Sequence, residues 1–110
     1  MRRPHAYTPQ TLHAGRILGL QVAQERRRRR WTAAGLAERA GISLDTLRKV
    51  ERGDPTVAMG IAFEVATLLG IRLFGADPAE LAALVATGRD RLALLPARVR
   101  EPPGAVHDDF

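Results

Sequence analysis

Residues 31–53 read WTAAGLAERAGISLDTLRKVERG, and the pattern of this stretch decides the fold. Thr32 is a suitable N-cap for a short helix, and Gly41 can end that helix in the left-handed conformation. The arrangement repeats at once, with Ser43 as the N-cap of a second short helix and Gly53 as its end. Two short helices joined by a turn of about three residues must cross steeply. The stretch therefore predicts a crossed helix pair.

Apolar residues stand where such a pair would be joined. Trp31 and Leu36 have the spacing of a hydrophobic staple across the first N-cap, and Ile42 and Leu47 have the same spacing across the second. These side chains face one another once the helices cross, so they form a shared core. The predicted core residues of the pair are Leu36, Ala37, Ala40, Ile42, Leu47 and Val50.

The flanking sequence predicts three more helices. The apolar periodicity favours a first helix from about residue 15 to 29, preceded by a flexible arm over residues 1–14. A largely apolar helix is expected over residues 58–69, and residues 71–74 could form a short strand or an extended link.

A fifth helix is expected from the Asp77-Pro78 pair to about residue 94. We therefore expect one folded domain over residues 15–95, whose last helices dimerise. Proline, glycine and aspartate after Leu95 predict a flexible tail over residues 96–110.

The net charge of +5 is concentrated in one segment. Residues 22–52 hold nine basic and four acidic side chains, so the whole excess lies there. A basic segment between neutral flanks predicts a polyanionic partner, with nucleic acid first and an anionic membrane surface second. The membrane interpretation is the weaker one, because the first helix lacks the large aromatic and leucine face that membrane-surface helices need.

The composition argues against several other classes of protein. There is no cysteine, which excludes disulfides and thiolate metal sites. No segment approaches the roughly 20 apolar residues of a membrane span, so we expect a cytoplasmic protein. His5, His13 and His107 accompany no Ser-His-Asp, metal-spaced or glycine-rich phosphate motif, so we expect no enzyme, no cofactor and no metal site.

The helix pair resembles the helix-turn-helix of Xre and phage Cro/C1-type repressors. Counted from Ala33, that motif has an apolar residue fourth, a small one fifth, glycine ninth, and aliphatic residues tenth, fifteenth and eighteenth. The matching residues are Leu36, Ala37, Gly41, Ile42, Leu47 and Val50. The resemblance implies an all-α, five-helix, lambda-repressor-like domain that acts as a homodimeric transcriptional repressor. Two departures are Ala33, where the family usually has a phosphate-binding glutamine, and Glu25, where it more often has an apolar or small residue.

The segment Glu51-Arg52-Gly53 resembles the family's Glu-x-Gly ending, whose glutamate pairs with an arginine of the first helix. By spacing, that arginine is Arg26. A helix turns by about 100° per residue, so five consecutive arginines cannot all face one partner. We assign one or two of residues 28–30 to phosphates and choose Arg28 and Arg30. The alternative is that the run is a solvated helix end.

By the same resemblance, the second helix of the pair enters the major groove of DNA with its N-terminus first, so Leu44, Asp45 and Thr46 would meet base edges. Asp45 could accept from a cytosine amine, or could be an acid favoured in the first turn of a helix. The expected partner is an inverted-repeat operator in double-stranded DNA, read by two such helices roughly 34 Å apart. The predicted DNA-binding residues are Arg28, Arg30, Thr32, Ser43, Leu44, Asp45, Thr46, Arg48, Lys49 and Arg52.

The helix over residues 58–69 is apolar over most of its circumference, which is more surface than a small domain can cover. A homodimer contact would supply the missing cover. The predicted interface residues are Met59, Ile61, Phe63, Val65, Leu68, Ile71, Leu73 and Phe74.

Several further segments look like those of HipB-type antitoxins, which are encoded beside HipA-type kinase toxins. That resemblance implies a homodimer that represses its own operon and restrains the kinase, with residues 95–100 and the tail as candidates for toxin contact. Two alternatives are a solitary Xre-family regulator and a helix-turn-helix scaffold that acts only through protein contacts. The segments are Gly53-Asp-Pro, Phe63-Glu-Val-Ala, Leu69-Gly, Leu73-Phe-Gly and Leu95-Pro-Ala-Arg-Val-Arg.

Overall fold

A computed structural model describes residues 5–102, and every regular element in that range is helical. The predicted all-α class with five helices is therefore confirmed. The chain divides at Gly75 into two compact units, the second of which contains the fifth helix. The helices are α1 (Pro9–Arg28), α2 (Ala33–Ala40), α3 (Leu44–Arg52), α4 (Met59–Leu68) and α5 (Pro78–Ala93), with a 3-10 turn at Leu73–Gly75.

The first helix begins earlier than its apolar periodicity predicts. The Thr8 side chain accepts a hydrogen bond from the backbone N–H of Thr11 at 3.3 Å, and Pro9 occupies the first turn. Proline suits that turn because its missing N–H would have no partner inside the helix. Residues 9–14 are consequently helical, although they were expected to belong to a flexible arm. Residues 1–4 of that arm lie outside the described residues.

The crossed pair forms as the caps predict. Gly41 lies between α2 and α3 in the left-handed conformation at φ 69°, and the N–H of Ile42 donates to the carbonyl of Ala37 at 3.0 Å. Thr32 and Ser43 cap the two helices by accepting backbone N–H bonds at 3.0 Å each. These bonds satisfy helix-end groups that would otherwise be orphaned, so both helices can remain short.

The core of the first unit lies where α1, α2, α3 and α4 meet. Its largest fully buried side chains are Val22, Leu36, Leu47, Val65 and Leu69. Each contributes on the order of 1.5–3 kcal/mol by leaving water. The predicted core of the helix pair is confirmed, because its six residues are either buried or packed against this cluster.

Two glycines allow α1 to pass close to the end of α3. Gly15 and Gly19 lie one turn apart on α1. A Cβ atom built on Gly15 would be 2.9 Å from the carbonyl oxygen of Gly53, which is closer than real Cβ atoms come. The backbones of the two helices are therefore in direct contact, and α3 is fixed against α1 as well as α2.

Of the two alternatives for residues 71–74, the strand is wrong, because the chain forms the 3-10 turn Leu73–Gly75 there. Phe74 has φ 55° and ψ 27°, and Gly75 follows with φ 66°. Two left-handed residues in succession bend the backbone away from the extended conformation of a strand.

The second unit contains α5, which begins as the sequence predicts. The Asp77 side chain accepts from the N–H of Glu80 at 2.8 Å, and the Glu80 side chain accepts from the N–H of Asp77 at 3.0 Å. This reciprocal capping box fixes the start of the helix. Among the helices of residues 5–102, none combines the length and the apolarity that crossing a bilayer requires.

Candidate nucleic-acid interface

Helix α3 has one face in the core and another in solvent. Leu47 and Val50 are buried, whereas Asp45, Arg48 and Arg52 are exposed. The three exposed residues are spaced by three and four positions, so they form one stripe along the helix. Three further residues that the sequence predicted to project outward are half-buried at the edges of this stripe. They are Leu44, Thr46 and Lys49.

The hydroxyl groups predicted to bind DNA also hold the helix ends. Ser43 accepts the N–H of Thr46 and forms a second hydrogen bond, of 2.9 Å, with the Thr46 hydroxyl. Thr32 accepts the N–H of Gly35 in the same way. Both capping residues are exposed, and a hydroxyl oxygen has two lone pairs. The cap uses a lone pair and leaves the O–H group, which Thr32 can donate to a phosphate and which Ser43 donates to Thr46 and would have to turn toward a phosphate.

Asp45 is paired within its own helix. The Lys49 ammonium lies 3.3 Å from a carboxylate oxygen of Asp45, one turn away, and the Asp45 side chain is 74% exposed. Such an exposed pair contributes little to stability. It does place a cation beside the carboxylate, which lowers the repulsion between Asp45 and an approaching phosphate.

The predicted ion pair between Arg26 and Glu51 is present and joins α1 to α3. The Arg26 guanidinium donates Nε to one carboxylate oxygen at 2.7 Å and Nη2 to the other at 3.1 Å. Its third nitrogen donates to the carbonyl of Trp31 at 2.9 Å. The two side chains are only 12% and 15% exposed, and hydrogen bonding to Glu51 raises the pKa of Arg26. Both helices are thus fixed by a two-point, direction-dependent contact.

Arg28, which the sequence assigned to a phosphate, is held by Glu25 together with Arg29. Nε of Arg28 and Nε of Arg29 each donate to the Glu25 carboxylate at 3.0 Å. Hydrogen bonds from Arg28 and then Arg29 lower the pKa of Glu25 to about 2. Arg29 also donates to the carbonyl of Leu69 at 2.9 Å, which anchors α4. Glu25 therefore occupies two arginines of the run.

Arg27 lies next to Arg26, the arginine of the run that pairs with α3. It lines an open groove of about 520 Å³ between α1 and α3, together with Arg16, Arg48 and Arg52. Leu20, on α1, also borders this groove. The sequence analysis missed Arg16 and Arg27 as candidate site residues. Their spacing of eleven, three turns of a helix, was the signal that places them on one face of α1.

The turn after α1 is built around the chain's single tryptophan. The guanidinium carbons of Arg39 and Arg29 lie 4.2 Å and 5.2 Å from the Trp31 ring centre, which is cation–π geometry. Arg30 has φ 58°, an unusual conformation for a side chain of its size, and its side chain is exposed. Arg30 is thus placed in solvent at a sharp turn, whereas Arg28 is in solvent but paired with Glu25.

The residues predicted for a dimer contact fall into three groups. Val65 is fully buried in the core of its own chain, so its assignment to an interface is wrong. Met59 and Phe74 are 71% and 79% exposed, and Leu68 is 39% exposed. The remaining residues are half-buried, and the ring of one of them, Phe63, meets Phe74 edge-to-face at 6.1 Å. The half-buried residues are Ile61, Phe63, Ile71 and Leu73.

A family model described as a helix-turn-helix domain matches residues 17–84, which is more than half of the chain. The matched range contains α2 and α3, the Gly41 turn between them, and most of α1. No curated protein and no solved structure matches the chain. With its crossed pair α2–α3 and the exposed stripe of α3, the chain belongs to the helix-turn-helix domain family, a family of DNA-binding modules.

Proposed function

We propose that the protein is a sequence-specific transcriptional repressor that binds duplex DNA through α3. The observation that carries this proposal is the exposed stripe of Asp45, Arg48 and Arg52 on a helix whose opposite face is buried. The ion pair between Arg26 and Glu51 fixes α3 against α1, so α3 can enter a major groove without changing its orientation. Such rigid placement is what reading base edges requires.

We assign different DNA contacts to the residues of α3 and to those beside it. Arg48 and Lys49 would donate to guanine or to phosphate, since both have long cationic side chains near the helix centre. Leu44 and Asp45, in the first turn, would contact a thymine methyl group and a cytosine amine. The cap hydroxyls of Thr32 and Ser43 and the exposed Arg30 would contact phosphates. We propose no catalytic, metal or cofactor role for the chain.

We propose that two copies bind an inverted repeat as a homodimer. The support is a connected apolar surface, formed by Met59 and Phe63 one turn apart on α4 and by Phe74, which touches Phe63. The only charged residue of α4 is Glu64, so little charge has to leave water when two such faces meet. Apolar patches of this kind commonly mark contact sites.

We propose further that the protein is the antitoxin of a HipA-type kinase. The support is the resemblance of its later segments to HipB-type antitoxins, together with the apolar residues exposed in the second unit. Leu92, Leu95 and Val99 are 70%, 64% and 87% exposed, and Arg98 and Arg100 stand among them. An apolar surface rimmed by arginines suits a partner with an acidic rim.

The DNA-binding proposal is tested with fluorescently labelled duplexes that tile the region upstream of the protein's own gene, against shuffled duplexes of equal composition. We expect one inverted-repeat duplex to bind about ten times more tightly or better than the shuffled ones. We also expect log affinity to fall linearly with log salt. Salt-independent or absent binding would favour the alternative that the helix-turn-helix is only a scaffold for protein contacts.

The antitoxin proposal is tested by co-expression with any kinase-like protein encoded by a neighbouring gene. A stable complex by size-exclusion chromatography, together with loss of kinase autophosphorylation, is expected. A DNA-binding protein that forms no such complex would be a solitary regulator.

A further inference from the structure

We propose that the groove between α1 and α3 binds the phosphodiester backbone of DNA. In this proposal Arg16, Gln24 and Arg27 of α1 contact the duplex together with α3. This inference rests on the proposed DNA-binding function and extends its interface to a helix outside the crossed pair. The contact would be independent of base sequence, because phosphates are the same at every position.

The groove is lined mainly by positive charge. Four guanidinium groups line it, from Arg16, Arg27, Arg48 and Arg52, and the only carboxylate among its lining residues is Glu51. That carboxylate already binds Arg26 through both oxygens. A concave surface lined by one sign of charge focuses its field and attracts counter-charges.

The groove lies beside the proposed recognition surface of α3. Arg48 and Arg52 belong both to the exposed stripe of α3 and to the wall of the groove. With α3 in a major groove, the DNA strand on this side is proposed to pass over the α1–α3 groove. Arg27 and Gln24 stand on the opposite wall, where a phosphate can be met from two sides.

The guanidinium groups of Arg27 and Arg16 have N–H donors available for a ligand. Among the described residues, the guanidinium of Arg27 has no hydrogen-bond or ion-pair partner, in contrast to Arg26, Arg28 and Arg29. Arg16 donates one nitrogen to the carbonyl of Arg52 at 3.3 Å. This bond holds Arg16 at the end of α3 and leaves its other N–H groups for a ligand, since a guanidinium has five.

Two acidic groups lie near the groove, and they differ in how far they offset its charge. Glu25 is occupied by Arg28 and Arg29. Asp54, in the loop after α3, accepts the N–H of Thr56 at 2.8 Å and its hydroxyl at 2.7 Å, and these bonds lower the pKa of Asp54. Glu25 is thus neutralised by its own arginines, whereas Asp54 stays ionised near Arg52 and offsets part of the charge at that end of the groove.

The experiment measures binding of the full chain to several duplexes of about 30 base pairs with unrelated random sequences, each at several salt concentrations. The variants are R27Q, R16Q and, as a charge-matched control, R91Q, whose arginine lies on α5 and is exposed. We expect R27Q to weaken binding roughly three- to tenfold at low salt. We also expect the slope of log affinity against log salt to fall by about 0.9 per lost phosphate contact.

Equal behaviour of R27Q and R91Q would overturn the inference, because only the overall charge would then matter. A loss seen with one duplex sequence and not with others would overturn it too, since it would indicate base reading. Melting temperatures of all variants separate lost contacts from lost folding, and R27Q is informative even if R16Q unfolds. If the unaltered protein binds no duplex at all, the proposed function fails instead.

Discussion

Gly19 of α1 lies directly against the backbone carbonyl of Val50 in α3. A Cβ atom built on Gly19 would be 2.5 Å from that oxygen and 2.6 Å from the carbonyl oxygen of Glu51. The neighbours are backbone atoms in a helix, so they cannot turn aside as a flexible side chain could. This contact sets the distance between α1 and the proposed recognition helix.

Gly19→Ala should therefore destabilise the protein, although alanine is the better helix former. We expect a loss of about 1–3 kcal/mol in the free energy of unfolding, measured by urea titration, because the helices must move apart. Gly60→Ala is the matched control, since a Cβ there meets no atom within 4 Å. It should be neutral or stabilise by up to about 1 kcal/mol. Equal effects of the two substitutions would contradict the close crossing.

Glu51→Ala should leave the Arg26 guanidinium charged in a place where little water reaches it. We expect a loss of about 2–4 kcal/mol in the free energy of unfolding, near the range for broken buried pairs. Glu25→Gln is the control, because the pairs it removes are more exposed and should matter less. An unchanged melting temperature in Glu51→Ala would count against a structural role for the pair.

Lowering the pH should remove a contribution of Glu25 to stability. Because its pKa is lower in the folded protein, at about 2, than the ordinary value of 4.5, the contribution is complete above pH 4.5. It is lost progressively as the pH falls toward 2. Urea unfolding at about pH 5 and about pH 3 should show a larger loss for the unaltered protein than for Glu25→Gln. An NMR titration of the Glu25 carboxyl with a midpoint near 4.5 would refute the shift.

Substitutions on α3 should separate affinity from sequence preference. Arg48→Ala should weaken operator binding by about 1–3 kcal/mol, while Leu44→Ala and Asp45→Ala should change which base pairs are preferred. Binding to a library of operator variants measures both. The control is Arg91→Ala, on α5. If Leu44→Ala and Asp45→Ala leave affinity and preference unchanged, the assignment of base contacts to the first turn is wrong.

Phe74→Asn should weaken the proposed dimer without unfolding the subunit. Asparagine tolerates the left-handed conformation of this residue, which offsets the lost ring contact of about 0.5–1.5 kcal/mol with Phe63. Sedimentation equilibrium should show a shift toward monomer, with little change in the unfolding of dilute protein. A dimer of undiminished affinity would place the interface elsewhere.

The helix pair was predictable because its signals are local. An N-cap bonds a backbone N–H three residues on, and Gly41 and Gly53 end their helices through bonds to carbonyls three to four residues back. The start of α1 carried the same kind of signal in Thr8-Pro9, but two prolines in the first ten residues suggested an irregular arm. The strand near residue 71 failed for another reason, since an exposed Phe74 in a left-handed turn contradicts the ordinary preference of its side chain.

Sequence by itself determined the class of fold, the four residues that begin and end α2 and α3, and the pairing of Arg26 with Glu51. Helix ends depend on bonds between neighbours in the chain, and the ion pair belongs to a recognised motif.

Only the tertiary structure decided that Arg27 lines the α1–α3 groove. The pairs of Glu25 with Arg28 and Arg29, three and four residues on, follow from helix spacing, whereas Arg27 lines the groove with Arg16 of α1 and with Arg48 and Arg52 of α3. Five identical side chains in succession differ only in the direction each takes around the helix. Which groups an arginine side chain can reach depends on the element packed beside its face of the helix. On one face of α1 that element is α3, held close by the glycine contact, which joins residues about thirty positions apart.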